Sequence, residues 1–322
     1  MTTALPFRFA VQAVKTGSAG EWRDLARQVE DHGYSTLFLA DHYLGKGPAM
    51  QKAHQFPQHV APIAALATAA AHTTSLRIGC RVFCVDYHVP AVLAKEAVTL
   101  DLLSDGRLEF GIGAGWSEHE YEAIGLSFGS PASRVAKLKE LVALFVAQCT
   151  GEQLDLDGEH VTAKGYAALP LPVQRPHPPI MIGGSRKGVL SFAARTAQIV
   201  SISNVPFDAV NDAGLTPQAE ALRRLEYVRS AAGDRFAELE IEASPFFTRI
   251  TDDPSGAATS IASATGIREE GLVEHPNVLL GRVDELSDRL IERRETYGVN
   301  YVTVQQSQVD AFAPIVAELA GR

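Results

Sequence analysis

The chain has 322 residues, of which 46% are hydrophobic, so it can bury a large core and is not globally disordered. Its 29 basic and 38 acidic residues give a formal net charge of -9, which disfavours nucleic acid and anionic membranes as partners and favours small-molecule chemistry. No segment approaches the roughly 20 uninterrupted apolar residues of a membrane span, and three cysteines without a CxxC pair argue against a disulfide framework, so we expect a cytoplasmic protein.

Short strand-like runs alternate with longer amphipathic stretches, a pattern typical of parallel βα units. Eight runs are predicted as strands, at residues 7–13, 36–40, 76–83, 108–113, 179–183, 198–202, 239–243 and 300–304. Helices are predicted at residues 20–32, 62–72, 90–103, 133–148, 184–195, 217–232 and 283–297, with a closing helix near 311–319. We therefore predict an α/β fold, a (β/α)8 TIM barrel that forms one domain over residues 1–322.

Three insertions depart from a minimal barrel, at residues 41–58, 150–178 and 246–281, after predicted strands two, four and seven. Loops of this length are uncommon in compact domains unless they are functional or disordered. In residues 150–178, three glycines followed by a cluster of prolines predict one or two hairpins and an extended return.

Asp41 and His42 follow the second predicted strand, at the end where barrel enzymes place their active sites. A histidine there can donate a hydrogen bond or transfer a proton near neutral pH, and the adjacent carboxylate can fix its tautomer. The alternative is that Asp41 caps the loop while His42 packs against the fold.

The fourth predicted strand runs into Gly113, Gly115 and Trp116 before a helix. Glycines at such a junction allow a cofactor to approach the backbone, although a tight strand-to-helix turn is the favoured explanation of this segment taken alone. The segment is not a GxGxxG dinucleotide fingerprint, because Trp116 stands where that motif needs glycine.

Gly183, Gly184 and Ser185 follow the fifth predicted strand and precede a helix. Two unobstructed amides, a hydroxyl and the positive end of a helix dipole can bind a phosphate. The alternative is a tight turn in which Ser185 is the N-cap.

Two other barrel chemistries lack the residues they need. A metal-dependent hydrolase needs closely spaced histidines at a strand end, which the sequence does not provide, so we expect no metal site. A Schiff-base aldolase needs a lysine at the barrel mouth, and Lys15 is the nearest candidate.

Motifs in a fixed order connect these residues with a known family. They are Leu39-Ala40-Asp41-His42, Leu76-Arg-Ile-Gly79, Tyr87-His-Val-Pro90, Leu100-Asp-Leu-Leu-Ser104-Asp-Gly106-Arg107, Phe110-Gly-Ile-Gly113-Ala-Gly115-Trp116, Pro179-Ile-Met-Ile-Gly183-Gly184-Ser185 and Val278-Leu-Leu-Gly281. With them the chain resembles the luciferase-like monooxygenase family over nearly its whole length, and most closely the branch of coenzyme F420 (deazaflavin)-dependent oxidoreductases.

The resemblance implies a bacterial luciferase-like barrel that binds coenzyme F420, or alternatively FMN, in its mouth. Asp41 and His42 would border the ring as catalytic residues, and a cis peptide bond would lie near Arg81 and Val82 in the third strand. The remaining cofactor contacts would come from the two glycine segments, with Gly113, Gly115 and Trp116 beside the ring and Gly183, Gly184 and Ser185 at the phosphate. It also implies a homodimer.

The function predicted on this basis is hydride transfer between F420 and a small organic substrate, with one proton supplied through His42. The alternatives are an FMN-dependent monooxygenase that uses oxygen and a catalytically silent flavin-binding protein. Relatives often have asparagine where this chain has Ser117. Glu118 or His119, which follow it, could assist proton transfer, although an exposed helix face is the favoured role for both.

Overall fold

A computed structural model describes residues 5–53, 55–202 and 205–322. The strands are β1 (Arg8–Ala13), β2 (Thr36–Leu39), β3 (Arg77–Cys80), β4 (Phe83–Cys84), β5 (Leu108–Gly113), β6 (Leu154–Asp157), β7 (Thr162–Tyr166), β8 (Ile180–Gly184), β9 (Ile199–Ile202), β10 (Glu240–Ala243), β11 (Phe247–Ile250), β12 (Val278–Gly281) and β13 (Val299–Gln305). The α-helices are α1 (Ala19–Asp31), α2 (Pro48–Ala53), α3 (Pro62–Ala70), α4 (Pro90–Leu103), α5 (Glu118–Ala123), α6 (Pro131–Thr150), α7 (Lys187–Thr196), α8 (Pro217–Ala232), α9 (Pro254–Thr265), α10 (Val283–Tyr297) and α11 (Val309–Leu319).

The main sheet has the strand order β3-β2-β1-β13-β10-β9-β8-β5-β4, and an additional pairing of β3 with β5 closes eight of these strands into a ring. The registers of β2 with β3, β3 with β5, β9 with β10 and β10 with β13 are parallel. Each predicted strand overlaps one strand of the ring, and the third run also reaches the first residue of β4. The predicted (β/α)8 barrel is therefore confirmed.

Side chains alternate along the barrel strands between the helices and the interior. In β5, Phe110 stacks on Phe145 of α6 with ring centroids 4.1 Å apart, so Phe110 faces the helices. Its neighbours Glu109 and Gly111 therefore face the interior, where Glu109 accepts a hydrogen bond of 2.8 Å from Arg77 Nε of β3. At the carboxyl ends of the strands, the side chains that face the interior are therefore the ones that can reach the barrel mouth.

The insertions contain structure of their own. Strands β6 and β7 form an antiparallel pair, which confirms the hairpin predicted for residues 150–178. The third insertion contains a parallel pair, β11 with β12, and the helix α9. The sequence did not predict these elements, nor α2 in the first insertion. A separate apolar cluster of Ala257, Ala258, Ile261, Leu272, Val278 and Leu280 stabilises the third insertion.

Contacts divide the chain into two compact units, the first made of Met1–Val11, Asp31–Ser35 and Ile182–Arg322, and the second of Gln12–Glu30 and Thr36–Met181. The dividing points fall within β1, within α1, just before β2 and within β8. That the whole chain forms one domain stays a prediction. No helix among the described residues combines the length and the apolar character that a membrane crossing requires.

The three cysteines are free and buried, as their apolar neighbours in the sequence suggest. Burial raises the pKa of all three thiols, to about 11 for Cys84 and about 12 for Cys149, and well above the usual value for Cys80. They belong to the second unit.

Candidate active site

Asp41 is a buried hydrogen-bond acceptor just beyond the carboxyl end of β2. Its Oδ1 accepts from the Tyr43 hydroxyl at 2.9 Å, and its Oδ2 accepts from the backbone N of Cys84 at 2.9 Å. Oδ2 also lies 2.8 Å from His88 Nε2. Asp41 thus connects the loop after β2 with β4, and the histidine it contacts is His88 rather than its neighbour His42.

His42 pairs with a carboxylate that the sequence did not single out. Its Nδ1 lies 2.6 Å from Glu120 Oε2, while the other oxygen of Glu120 accepts from the backbone N of Tyr43 at 2.6 Å. Burial alone would raise the pKa of Glu120, but the hydrogen bonds from His42 and Tyr43 bring it below the ordinary value. The pair fixes the imidazole through Nδ1, and Nε2 becomes the nitrogen that can exchange a proton with a ligand.

Glu120 is therefore the candidate site residue that the sequence reasoning missed. It lies in α5, directly after the two residues considered there, and it is buried whereas Glu118 and His119 are exposed. The favoured surface role of those two residues agrees with their exposure. A helix of six residues is too short for its periodicity to separate a buried glutamate from an exposed one.

A chain of hydrogen bonds holds helix α5, which contributes Glu120 to the pair with His42, against its neighbours. Cys84 Sγ lies 3.0 Å from the Tyr121 hydroxyl, which donates to Asp86 Oδ2 at 2.9 Å. The other oxygen of Asp86 accepts from Lys137 Nζ of α6 at 2.9 Å. Residues after β4, helix α5 and helix α6 are thereby connected, and α5 carries Glu120.

The peptide bond between Arg81 and Val82 is cis, as the resemblance implies. Two glycines of β5 make room for this segment. A Cβ on Gly113 would lie 2.7 Å from Val82 Cγ2, and one on Gly111 would overlap the carbonyl oxygen of Cys80. In this structure the glycines of β5 therefore allow the backbone of β3 and β4 to approach β5.

Gly115 and Trp116 follow at the end of β5. Gly115 has φ 73°, and a Cβ there would overlap the hydroxyl of Tyr121, so both conformation and space require glycine. The Trp116 side chain is exposed, and its ring meets that of His42 edge-on with centroids 5.8 Å apart. Trp116 is thus placed next to the histidine.

Gly183 and Gly184 end β8, Ser185 follows them before α7, and all three belong to the first unit. A Cβ on Gly184 would lie 2.7 Å from Val189 Cγ1, so packing of α7 against β8 accounts for this glycine. The N-cap residue of α7 is Arg186, so Ser185 is not the N-cap. The segment keeps a hydroxyl beside the amino terminus of a ten-residue helix.

Among the described residues, no group of three or more His, Cys, Asp or Glu side chains is placed to hold a metal ion. The chemistry that the site can perform with its own side chains is hydrogen bonding and proton transfer at His42.

The model of the luciferase-like monooxygenase family matches residues 1–298. The chain belongs to this family. A luciferase-like relative, the F420-dependent glucose-6-phosphate dehydrogenase of Nakamurella multipartita, is 30% identical over 198 residues, which cover 61% of this chain and 56% of that protein. The chain thus spans less than two thirds of the length of the curated relatives that it matches.

Two solved structures show the same luciferase-like fold at low identity. The F420-dependent tetrahydromethanopterin reductase of Methanopyrus kandleri is 16% identical with a TM-score of 0.74, and the match covers 98% of both chains. A monooxygenase of Streptomyces bottropensis is 21% identical with a TM-score of 0.75, covering 97% of this chain and 98% of that one. The family comprises oxidoreductases and monooxygenases, so the comparisons support an enzyme and the barrel fold.

Proposed function

We propose that this protein transfers a hydride between coenzyme F420 and a small organic substrate, such as an alcohol, a carbonyl compound, an imine or an activated double bond. The observation that carries the proposal is the pair of His42 with buried Glu120 at the end of β2. Hydride transfer to a carbonyl leaves negative charge on oxygen, and a positioned imidazole can supply the proton that neutralises it. The relative named as F420-dependent supports this choice of cofactor.

The residues present fit such a cofactor. Two buried polar side chains of the second unit, Gln12 and Ser117, carry atoms without a hydrogen-bond partner among the described residues, as expected where a polar ligand binds. We propose that Asp41, His42, Arg81, Val82, Gly113, Gly115 and Trp116 hold the ring. When bound, the deazaflavin supplies or accepts the hydride. The protein holds Nδ1 of His42 through Glu120 and moves the proton at Nε2.

The second candidate is an FMN-dependent monooxygenase, because a structure with a similar fold is a monooxygenase. Titration with oxidised F420 and oxidised FMN, followed by absorbance and fluorescence, distinguishes the two. We expect tighter binding of F420. Tighter binding of FMN, together with oxygen consumption by reduced FMN and substrate, would contradict the proposal, and FMN binding without turnover of any substrate would indicate a catalytically silent flavin-binding protein.

We separately propose that Gly183, Gly184 and Ser185 bind the phosphate of the cofactor. Replacing Gly184 tests packing as well as binding, because Val189 must move, so Ser185→Glu is the cleaner change. A carboxylate beside the amino terminus of α7 stabilises the helix but repels a phosphate. We expect cofactor affinity to fall about 10-fold or more while the melting temperature is unchanged or higher.

The matched control is Ser255→Glu, which places the same charge in the first turn of α9. It should leave cofactor affinity unchanged, as measured by the same titration. An unaltered affinity in folded Ser185→Glu would show that the phosphate binds elsewhere.

We also propose that the protein is a cytoplasmic enzyme and that it forms a homodimer. The alanines of α3, which could allow close packing between copies, are partly used within the protein, because Ala65, Ala69 and Ala70 are buried. The homodimer proposal therefore rests mainly on the family resemblance. Light scattering at micromolar concentration tests it, and the mass of a monomer would contradict it.

A further inference from the structure

The unpartnered carboxamide of Gln12 lies near the carboxyl end of β1. In this strand Phe9 packs against Phe312 of α11 with ring centroids 5.9 Å apart, so Phe9 faces the helices. Alternation then places Gln12, three residues later, on the interior face of the barrel. Strands β1 and β2 are neighbours in the sheet, so Gln12 and Asp41 lie at adjacent strand ends.

Gln12 is only 6% exposed, yet neither its Nε2 nor its Oε1 has a hydrogen-bond partner among the described residues. A buried amide without partners destabilises the fold, and most buried polar atoms are satisfied. Buried Gln148 of α6 differs in part, because its Oε1 accepts a hydrogen bond of 3.0 Å from the Tyr166 hydroxyl and only its Nε2 has no partner among the described residues. A ligand that completes the hydrogen bonds of Gln12 would explain why the protein keeps a buried group that destabilises its folded state.

We propose that the Gln12 carboxamide binds the imide edge of the cofactor ring. A carboxamide holds one donor and one acceptor in a plane, and so does an imide, in which an N–H stands beside a carbonyl. The rings of F420 and FMN both carry this edge, so the inference rests on the proposed cofactor class but not on which cofactor it is. Since an amide does not titrate near neutral pH, Gln12 orients the ring and leaves proton transfer to His42.

The test is Gln12→Leu, studied as the full chain by titration with F420 and with FMN and by thermal unfolding without cofactor. We expect affinity for the bound cofactor to fall about 10-fold or more, because two hydrogen bonds are lost. Removing an unsatisfied amide from the interior should at the same time raise the melting temperature of the cofactor-free protein by about 2 °C. A purely structural role for Gln12 would not combine weaker binding with higher stability.

Gln148→Leu is the matched control, since it makes the same replacement at a buried glutamine outside the barrel interior, and its cofactor affinity should equal that of the wild type. If Gln12→Leu does not fold, Gln12→Met provides an unbranched apolar side chain of similar length. Equal affinities of the Gln12 variant and the wild type overturn the role of Gln12 alone. A wild-type protein that binds neither cofactor overturns both this inference and the proposed function.

Discussion

The His42→Gln enzyme should turn over substrate about 10²–10⁴ times more slowly than the wild type while binding the cofactor with similar affinity. Glutamine keeps most of the bulk of the imidazole and can still hydrogen-bond to Glu120, but it cannot accept and release a proton. The effect should therefore appear in kcat. The measurement is steady-state turnover with F420 over a panel of enones, ketones, imines and alcohols, together with the cofactor titration.

The control is His119→Gln, which changes the exposed histidine next to Glu120 and should retain near-native turnover. Near-native turnover of folded His42→Gln would exclude His42 as the acid–base catalyst. If cofactor affinity collapses while the rate per bound cofactor is unchanged, His42 is a binding residue and catalysis is mostly positioning.

Gly111→Ala should be the most destabilising single methyl addition in the barrel wall. The new Cβ would overlap the carbonyl oxygen of Cys80, a backbone atom that cannot rotate away, and would approach Val82 Cγ1 to 3.2 Å. Either β3 or β5 must move, so we expect a loss of about 3 kcal/mol or more in the free energy of unfolding. Denaturant unfolding followed by circular dichroism measures it.

Gly188→Ala is the matched control, because a Cβ there meets no atom within 4 Å among the described residues and the position lies in α7. Alanine is the better helix former, so this variant should be as stable as the wild type or slightly more stable. If both variants unfold at the same denaturant concentration, the close approach of β5 to Cys80 is not required by the fold.

The barrel could be predicted from the sequence because each of its strands is a short apolar run followed by a helix with a clear pattern. The strand β5 has the predicted bounds, and so has α10. The third insertion could not be predicted in this way. Strands β11 and β12 have four residues each, are separated by 27 residues and pair with each other, and no local pattern encodes such a pairing.

The positions of the candidate site residues were partly predictable and their partners were not. Asp41 and His42 follow a strand, which places them at the mouth, but the expected interaction between them does not form. His42 pairs with Glu120, 78 residues away in sequence. Contacts of this kind depend on the closure of the ring between β3 and β5, which brings α5 beside the loop after β2.

The burial of the three cysteines has a practical consequence for studies of this protein in solution. At neutral pH the thiols of Cys80, Cys84 and Cys149 stay protonated and covered, so maleimides and iodoacetamides find little thiolate to attack. A cysteine introduced on the surface would then carry nearly all of the label. Fluorophores or spin labels can thus be attached to the loop after β2 without first removing the native cysteines.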